Sequence, residues 1–142
     1  MIRKEIFEKI NGRIKDAVRP VRHVALWNEN VAFADMDEPF ERPAVFVEFG
    51  TVEWACGTLG SGLHVVFSGD CVVRIHVVTD YSDSGDEGGF AVCSQVRDAL
   101  TGLQDERWGP LVLWRTLTNH NHEELLESIE EFRLKLRYIK AL

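Results

Sequence analysis

Cysteine is scarce in this sequence. The three present, Cys56, Cys71 and Cys93, are odd in number and widely spaced, which argues against a disulfide framework and suits a reducing compartment. Long apolar runs are missing as well. The opening Met-Ile-Arg-Lys-Glu-Ile-Phe-Glu-Lys-Ile breaks every hydrophobic stretch with charge, so it reads as neither signal peptide nor membrane span, and no membrane partner is expected. Positive charge is in deficit, with 16 Lys and Arg against 23 Asp and Glu and a net charge of −7. Phosphate neutralisation by Lys and Arg supplies most nucleic-acid affinity, so no specific nucleic-acid binding is expected.

Motifs with a chemical mechanism are also wanting. No Gly-x-Ser-x-Gly, P-loop, His-Glu-x-x-His or dinucleotide fingerprint occurs. The glycine-rich stretch from Gly57 to Gly62 contains no lysine and opens no amphipathic helix, which argues against a phosphate cradle. Asp80-x-Ser82-x-Ser84-Gly85-Asp86 echoes the start of a calcium loop, but Ala91 stands at the twelfth position, where a bidentate Glu is required. His120-x-His122, with Glu123 beside it, has no third ligand placed by spacing and reads as a solvated turn. His64, Cys71 and His76 fall in one strand region, where alternation sends Cys71 and His76 to opposite faces. No catalytic, cofactor or metal site is assigned, and the expectation is a protein that is not an enzyme.

What the chain does have is strand pattern. Arg42-Pro43-Ala44-Val45-Phe46-Val47-Glu48-Phe49-Gly50 puts Val45, Val47 and Phe49 on one face, with Pro43 marking the start. Thr51 to Cys56 reads as a continuation beyond a bend at Gly50. Cys71 to Asp80 sets the unbroken row Cys71, Val73, Ile75, Val77 against Val72, Arg74, His76, Val78. Between the two, Val65-Val66-Phe67 followed by Ser68-Gly69-Asp70 predicts a hairpin over 62–79 that pairs with the 44–50 strand. Gly57 to Gly62 reads as a mobile connection.

Around this centre, Ile2, Ile6, Ile10 and Ile14 predict a helix over 2–18 that Pro20 stops. Residues 23–27 read as a short strand and 28–41 as a long loop. The polar, acidic 80–89 segment reads as a flexible loop, and Phe90, Cys93, Val96, Leu100 and Leu103 mark a helix over 90–104. Strands follow over 111–118 and 131–139, the latter favoured to begin early, within 123–130. The predicted domain, 1–142, is α+β: a mostly antiparallel β-sheet with two helices packed on one face, in the order α-β-β-β-β-α-β-β.

Charge and tryptophan supply the interface candidates. Residues 1–22 carry seven Lys/Arg and three Asp/Glu, +4, and residues 131–142 carry four Lys/Arg and one Glu, +3, leaving about −14 on 23–130 by difference. If the first helix and last strand share a side, the molecule is charge-bipolar and suited to head-to-tail self-association. Arg133, Lys135 and Arg137 alternate with the apolar row Phe132, Leu134, Leu136 and so face outward. Of four tryptophans, Trp54 beside a glycine loop and Trp108 in a polar turn are candidate interface anchors.

As a set, Arg-Pro-Ala-Val-Phe-Val-Glu-Phe-Gly at 42–50, Val-Val-Arg-Ile-His-Val-Val-Thr-Asp at 72–80 and Glu-Glu-Phe-Arg-Leu-Lys-Leu at 130–136 resemble small proteins encoded among tail genes of phages and prophages of Bacteroidetes. These look like tail terminator or tail completion proteins, and the element order is similar to the lambda-type terminator fold. The resemblance covers most of the chain but carries over no functional residue. It implies a homo-oligomeric ring, commonly a hexamer, that caps the tail tube and meets head-completion proteins. It further implies assembly in the host bacterial cytoplasm and a final place in the virion neck. Head-closure and tail-tube subunits share size and class with it, and a small ligand-binding module or enzyme stays open as an alternative.

Overall fold

In the computed structural model, residues 2–27, 40–80, 88–119 and 125–142 are described. The chain runs through α1 (Ile2–Ala17), β1 (His23–Leu26), β2 (Ala44–Leu59), β3 (His64–Asp80), α2 (Gly89–Leu100), β4 (Val112–Asn119) and β5 (Leu125–Ala141). The sequence therefore foreshadows the class and the run of helix, strands, helix, strands. Of the loops expected over 28–41 and 80–89, residues 28–39 and 81–87 lie outside the described residues, as does the His120-x-His122 pair, while Asp80 ends β3 and Gly89 opens α2.

Helix α1 forms because its isoleucines recur once per turn, and Ile6, Ile10 and Ile14 are fully buried. Glu5 in its first turn and Lys15 in its last complement the helix dipole. Helix α2 inserts Val92, Cys93, Val96 and Leu100 into the same core. Both lie on one face of a five-stranded sheet of order β1-β2-β3-β5-β4. Among the described strands only β1, which runs beside Ala44–Val47, pairs in parallel. All other pairs are antiparallel. Val45, Val47, Val73, Ile75, Val77, Phe132 and Leu134 form the floor of the core beneath the helices.

The central hairpin corrects one expectation. Ser68-Gly69-Asp70 is no turn: β3 runs without a break from His64 to Asp80, joining the two segments read as separate strands. The chain reverses instead at Gly60, Ser61 and Gly62, whose φ angles of 62°, 57° and 87° lie in the left-handed region that glycine enters freely. Residues 57–59, read as part of a mobile connection, belong to β2. Gly69 serves a different purpose. A Cβ there would come within 2.9 Å of Cε3 of Trp54, so glycine lets an aromatic ring lie flat on the strand. A register shift between Phe49 and Val52 replaces the bend expected at Gly50. β5 does begin early, at Leu125, as the alternation of Leu125, Glu127 and Ile129 favours.

Length then shapes the molecule. A 16-residue helix spans roughly 24 Å, whereas a 17-residue strand spans roughly 55 Å, so the helices cannot roof the whole sheet. β2 is buried over its first four residues and exposed from Glu53 onward. Beyond that point β2, β3 and β5 continue as a three-stranded arm.

Candidate assembly interface

The arm consists of 51–59 in β2, 64–70 in β3 and 134–141 in β5, held in register by the pairs Trp54↔Gly69, Cys56↔Phe67 and Phe67↔Tyr138. Because Phe49 opposes Val73 and Val52 opposes Cys71, the irregularity at Gly50 and Thr51 returns Val52 and Trp54 to the face that α1 and α2 cover further back. The apolar row thus runs on past the helices.

On that face Trp54 meets Phe67 and Tyr138 edge-on, at ring separations of 6.2 and 5.8 Å, while Phe67 and Tyr138 stack at 4.7 Å. Such pairs add about 0.5–1.5 kcal/mol each beyond the area they bury. The cluster holds the arm together but leaves Trp54 46 % exposed. At the tip Leu59, Leu63, Ile139 and Leu142 are exposed too, with the Leu142 N–H donating to the Leu63 carbonyl at 2.9 Å. Exposed apolar groups gathered at one end of a molecule mark an interaction surface.

The opposite face is polar near the body. Lys135 Nζ lies 2.8 Å from Asp70 Oδ1, and an open cavity of about 620 Å³ at the root of the arm is lined by Glu53, Asp70, Val112, Arg133 and Lys135 among others. The described residues contain no cluster of His, Cys, Asp and Glu fit to hold a metal.

The candidates from sequence separate here. Arg133, Lys135 and Arg137 are exposed and alternate with buried Phe132, Leu134 and Leu136. Arg133 places its guanidinium 3.5 Å from the ring centre of Trp114, which Arg115 approaches at 4.4 Å. Trp54 sits on the arm. Trp108 does not belong with them: it is 3 % exposed, packed in the core with Lys9 5.7 Å above its ring, because the polar turn around it folds back onto β5. Nor do the two basic segments share a side. Leu134 and Leu136 face the core that α1 covers, so Arg133, Lys135 and Arg137 point to the other face. Basic groups near α1 pair locally, Lys9 with Asp105 and Arg107 with Glu5.

A set of buried charges was not legible in the sequence. Glu127, Glu130 and Glu131 of β5 are all within 1 % of full burial. Glu130 receives Arg97 of α2 at 3.0 and 3.3 Å and the Thr116 hydroxyl at 2.5 Å. Glu131 takes Arg115 and, at 3.3 Å, Arg74. Glu127 and Glu48 flank the His76 ring at 3.0 and 2.8 Å, and Trp27 stacks on that ring at 3.8 Å. Together these carboxylates tie β5 to α2, β3 and β4. The hydrogen bond that Arg97 donates to Glu130 is the main reason the Arg97 pKa is raised. Burial pushes the thiol of Cys71 up to about 11 and that of Cys93 upward as well, whereas Cys56 lies exposed on the arm.

No protein-family model matches this chain, and no curated protein sequence does. Among solved structures, a chain from a structure titled "Virion of native gene transfer agent (GTA) particle" is similar over 91 % of this chain and 84 % of its own length, at 16 % identity and a TM-score of 0.45. No helix among the described residues is long and apolar enough to cross a membrane.

Proposed function

We propose that this protein is a structural subunit of a phage-type particle, a tail terminator or completion factor that closes into a homo-oligomeric ring on the head-proximal end of the tail tube. Its partners are further copies of itself, the tube subunit below and the head-completion proteins above. It is assembled in the bacterial cytoplasm, ends in the neck of the particle and carries out no catalysis.

One observation carries this role. The molecule extends a three-stranded arm whose aromatic row and leucine tip are exposed in a single copy, and such a surface suits burial in an assembly. The strand motifs at 42–50, 72–80 and 130–136 add the resemblance to tail terminators.

Deleting the gene from the strain that makes the particle tests the role. Tails of uncontrolled length that fail to join heads are expected, and purified protein added to the lysate should restore joining. Normal, joined tails would refute the role, and loss of tail tubes altogether would make the protein a tube subunit instead.

A further inference from the structure

Among the described residues, two strand edges in this sheet have no neighbouring strand. In the arm, β1 pairs only with Ala44–Val47, so no described strand lies beside 51–59, and all nine residues there are exposed save half-buried Val52. At the other side of the sheet β4 is the last strand, and its eight residues are exposed save half-buried Leu113 and Asn119. Exposed edges of this length normally carry Lys or Pro that discourage pairing. Neither segment contains one. The edges match in length, lie on opposite sides of the sheet and carry one charge each, Glu53 on the arm and Arg115 on β4.

Building on the ring role, we infer that the ring closes by strand addition: the 51–59 edge of one copy pairs with the β4 edge of the next. Main-chain hydrogen bonds then satisfy both edges, as in other cases of strand addition. The contact joins two different surfaces and so propagates from copy to copy until rotation closes it. Charge favours this over like-with-like pairing. Joining two arm edges would bring the Glu53 carboxylates of both copies onto one seam, which the unlike contact avoids, since Arg115 of β4 is already held by Glu131.

The exposed native thiol of Cys56 makes a probe, since Cys71 and Cys93 are buried. Leu117→Cys and Thr118→Cys are made singly in the full-length protein, confirmed as folded by circular dichroism, sized by sedimentation, and oxidised with diamide, which takes up the two electrons and two protons of each thiol pair. Cross-strand neighbours have Cβ atoms about 4.5–5.5 Å apart, within reach of a disulfide after small adjustment. At least one position should give a ladder of covalent multimers, reversed by reductant and abolished by Cys56→Ser. Its yield should exceed that of the wild type at least about tenfold, because pairing holds the thiols at high effective concentration. Rings that form in every variant without cross-linking would overturn strand addition and leave the ring role standing. Efficient Cys56-to-Cys56 dimers in the wild type would also overturn it, in favour of two-fold pairing. A protein that stays monomeric defeats both.

Discussion

Replacing Trp54 with alanine separates what the arm does for folding from what it does for assembly. A tryptophan side chain has about 250 Å² to bury, and with 46 % of Trp54 exposed in one copy about 115 Å² is left for a partner to cover. At about 25 cal/mol per Å² that area is worth about 2.9 kcal/mol, a loss of roughly a hundredfold in the affinity of one copy for the next. The portion already packed on Phe67, Tyr138 and Gly69 has an upper bound near 3 kcal/mol for folding, and the true figure is lower because the unfolded chain is itself partly collapsed. Urea melts of dilute protein read the folding contribution and sedimentation equilibrium the contribution to association. Stability should fall by about 1–3 kcal/mol, with the helices and the body of the sheet intact by circular dichroism. Self-association should weaken far more than that of a Phe90→Ala control, whose side chain is exposed on α2, away from the arm. If Trp54→Ala loses stability but assembles within about threefold of the wild type, Trp54 is only an internal clamp of the arm and the interface lies elsewhere.

Four other outcomes follow from the geometry. Arg97→Met leaves the fully buried Glu130 without its fork and should cost about 2–4 kcal/mol in urea melts, somewhat less than a wholly buried pair because Arg97 is 36 % exposed, while the double change Arg97→Met, Glu130→Met should recover most of the loss; equal losses in both would show the pair is not coupled. Thiol titration of the native protein at neutral pH should find Cys56 reacting at once and the other two only on unfolding. Since the Cys71 pKa is raised to about 11, its contribution to stability is present below pH 9 and is lost as pH rises from about 9 to about 11, so Cys71→Val should flatten that part of the profile. Reversing Arg133, Lys135 and Arg137 to Glu breaks an exposed pair with Asp70 and a stacking contact with Trp114, each worth about 1 kcal/mol or less, so the fold should survive while assembly weakens; light scattering identical to the wild type would remove these residues from the interface.

Much of this architecture was legible because strand alternation is a local signal. Val45, Val47 and Phe49, and the row from Cys71 to Val77, point to the core as their spacing requires, and the isoleucine stripe places α1. Ser68-Gly69-Asp70 misled because the same glycine that permits a turn also permits a ring to lie against a strand, and the ring belongs to Trp54, distant in sequence. Trp108 misled for a related reason: polar neighbours describe a turn but not what the turn folds onto, here Leu136 of β5. The buried carboxylates were hidden most completely. Glu127 and Glu131 look like the wet face of an edge strand, and only the sheet order, which puts β5 between β3 and β4, supplies His76, Arg74 and Arg115 to meet them. The arm was half visible. Its strands could be read, but its exposure follows from the mismatch between helix and strand lengths.

The central claim, that this chain closes into a ring, is tested most directly by sedimentation velocity of the full-length protein at concentrations spanning the micromolar range, with negative-stain images of the same samples. The account predicts one discrete multimer that persists on dilution and shows a central opening. A monomer at every concentration, or a series of species that grows without limit, would contradict it.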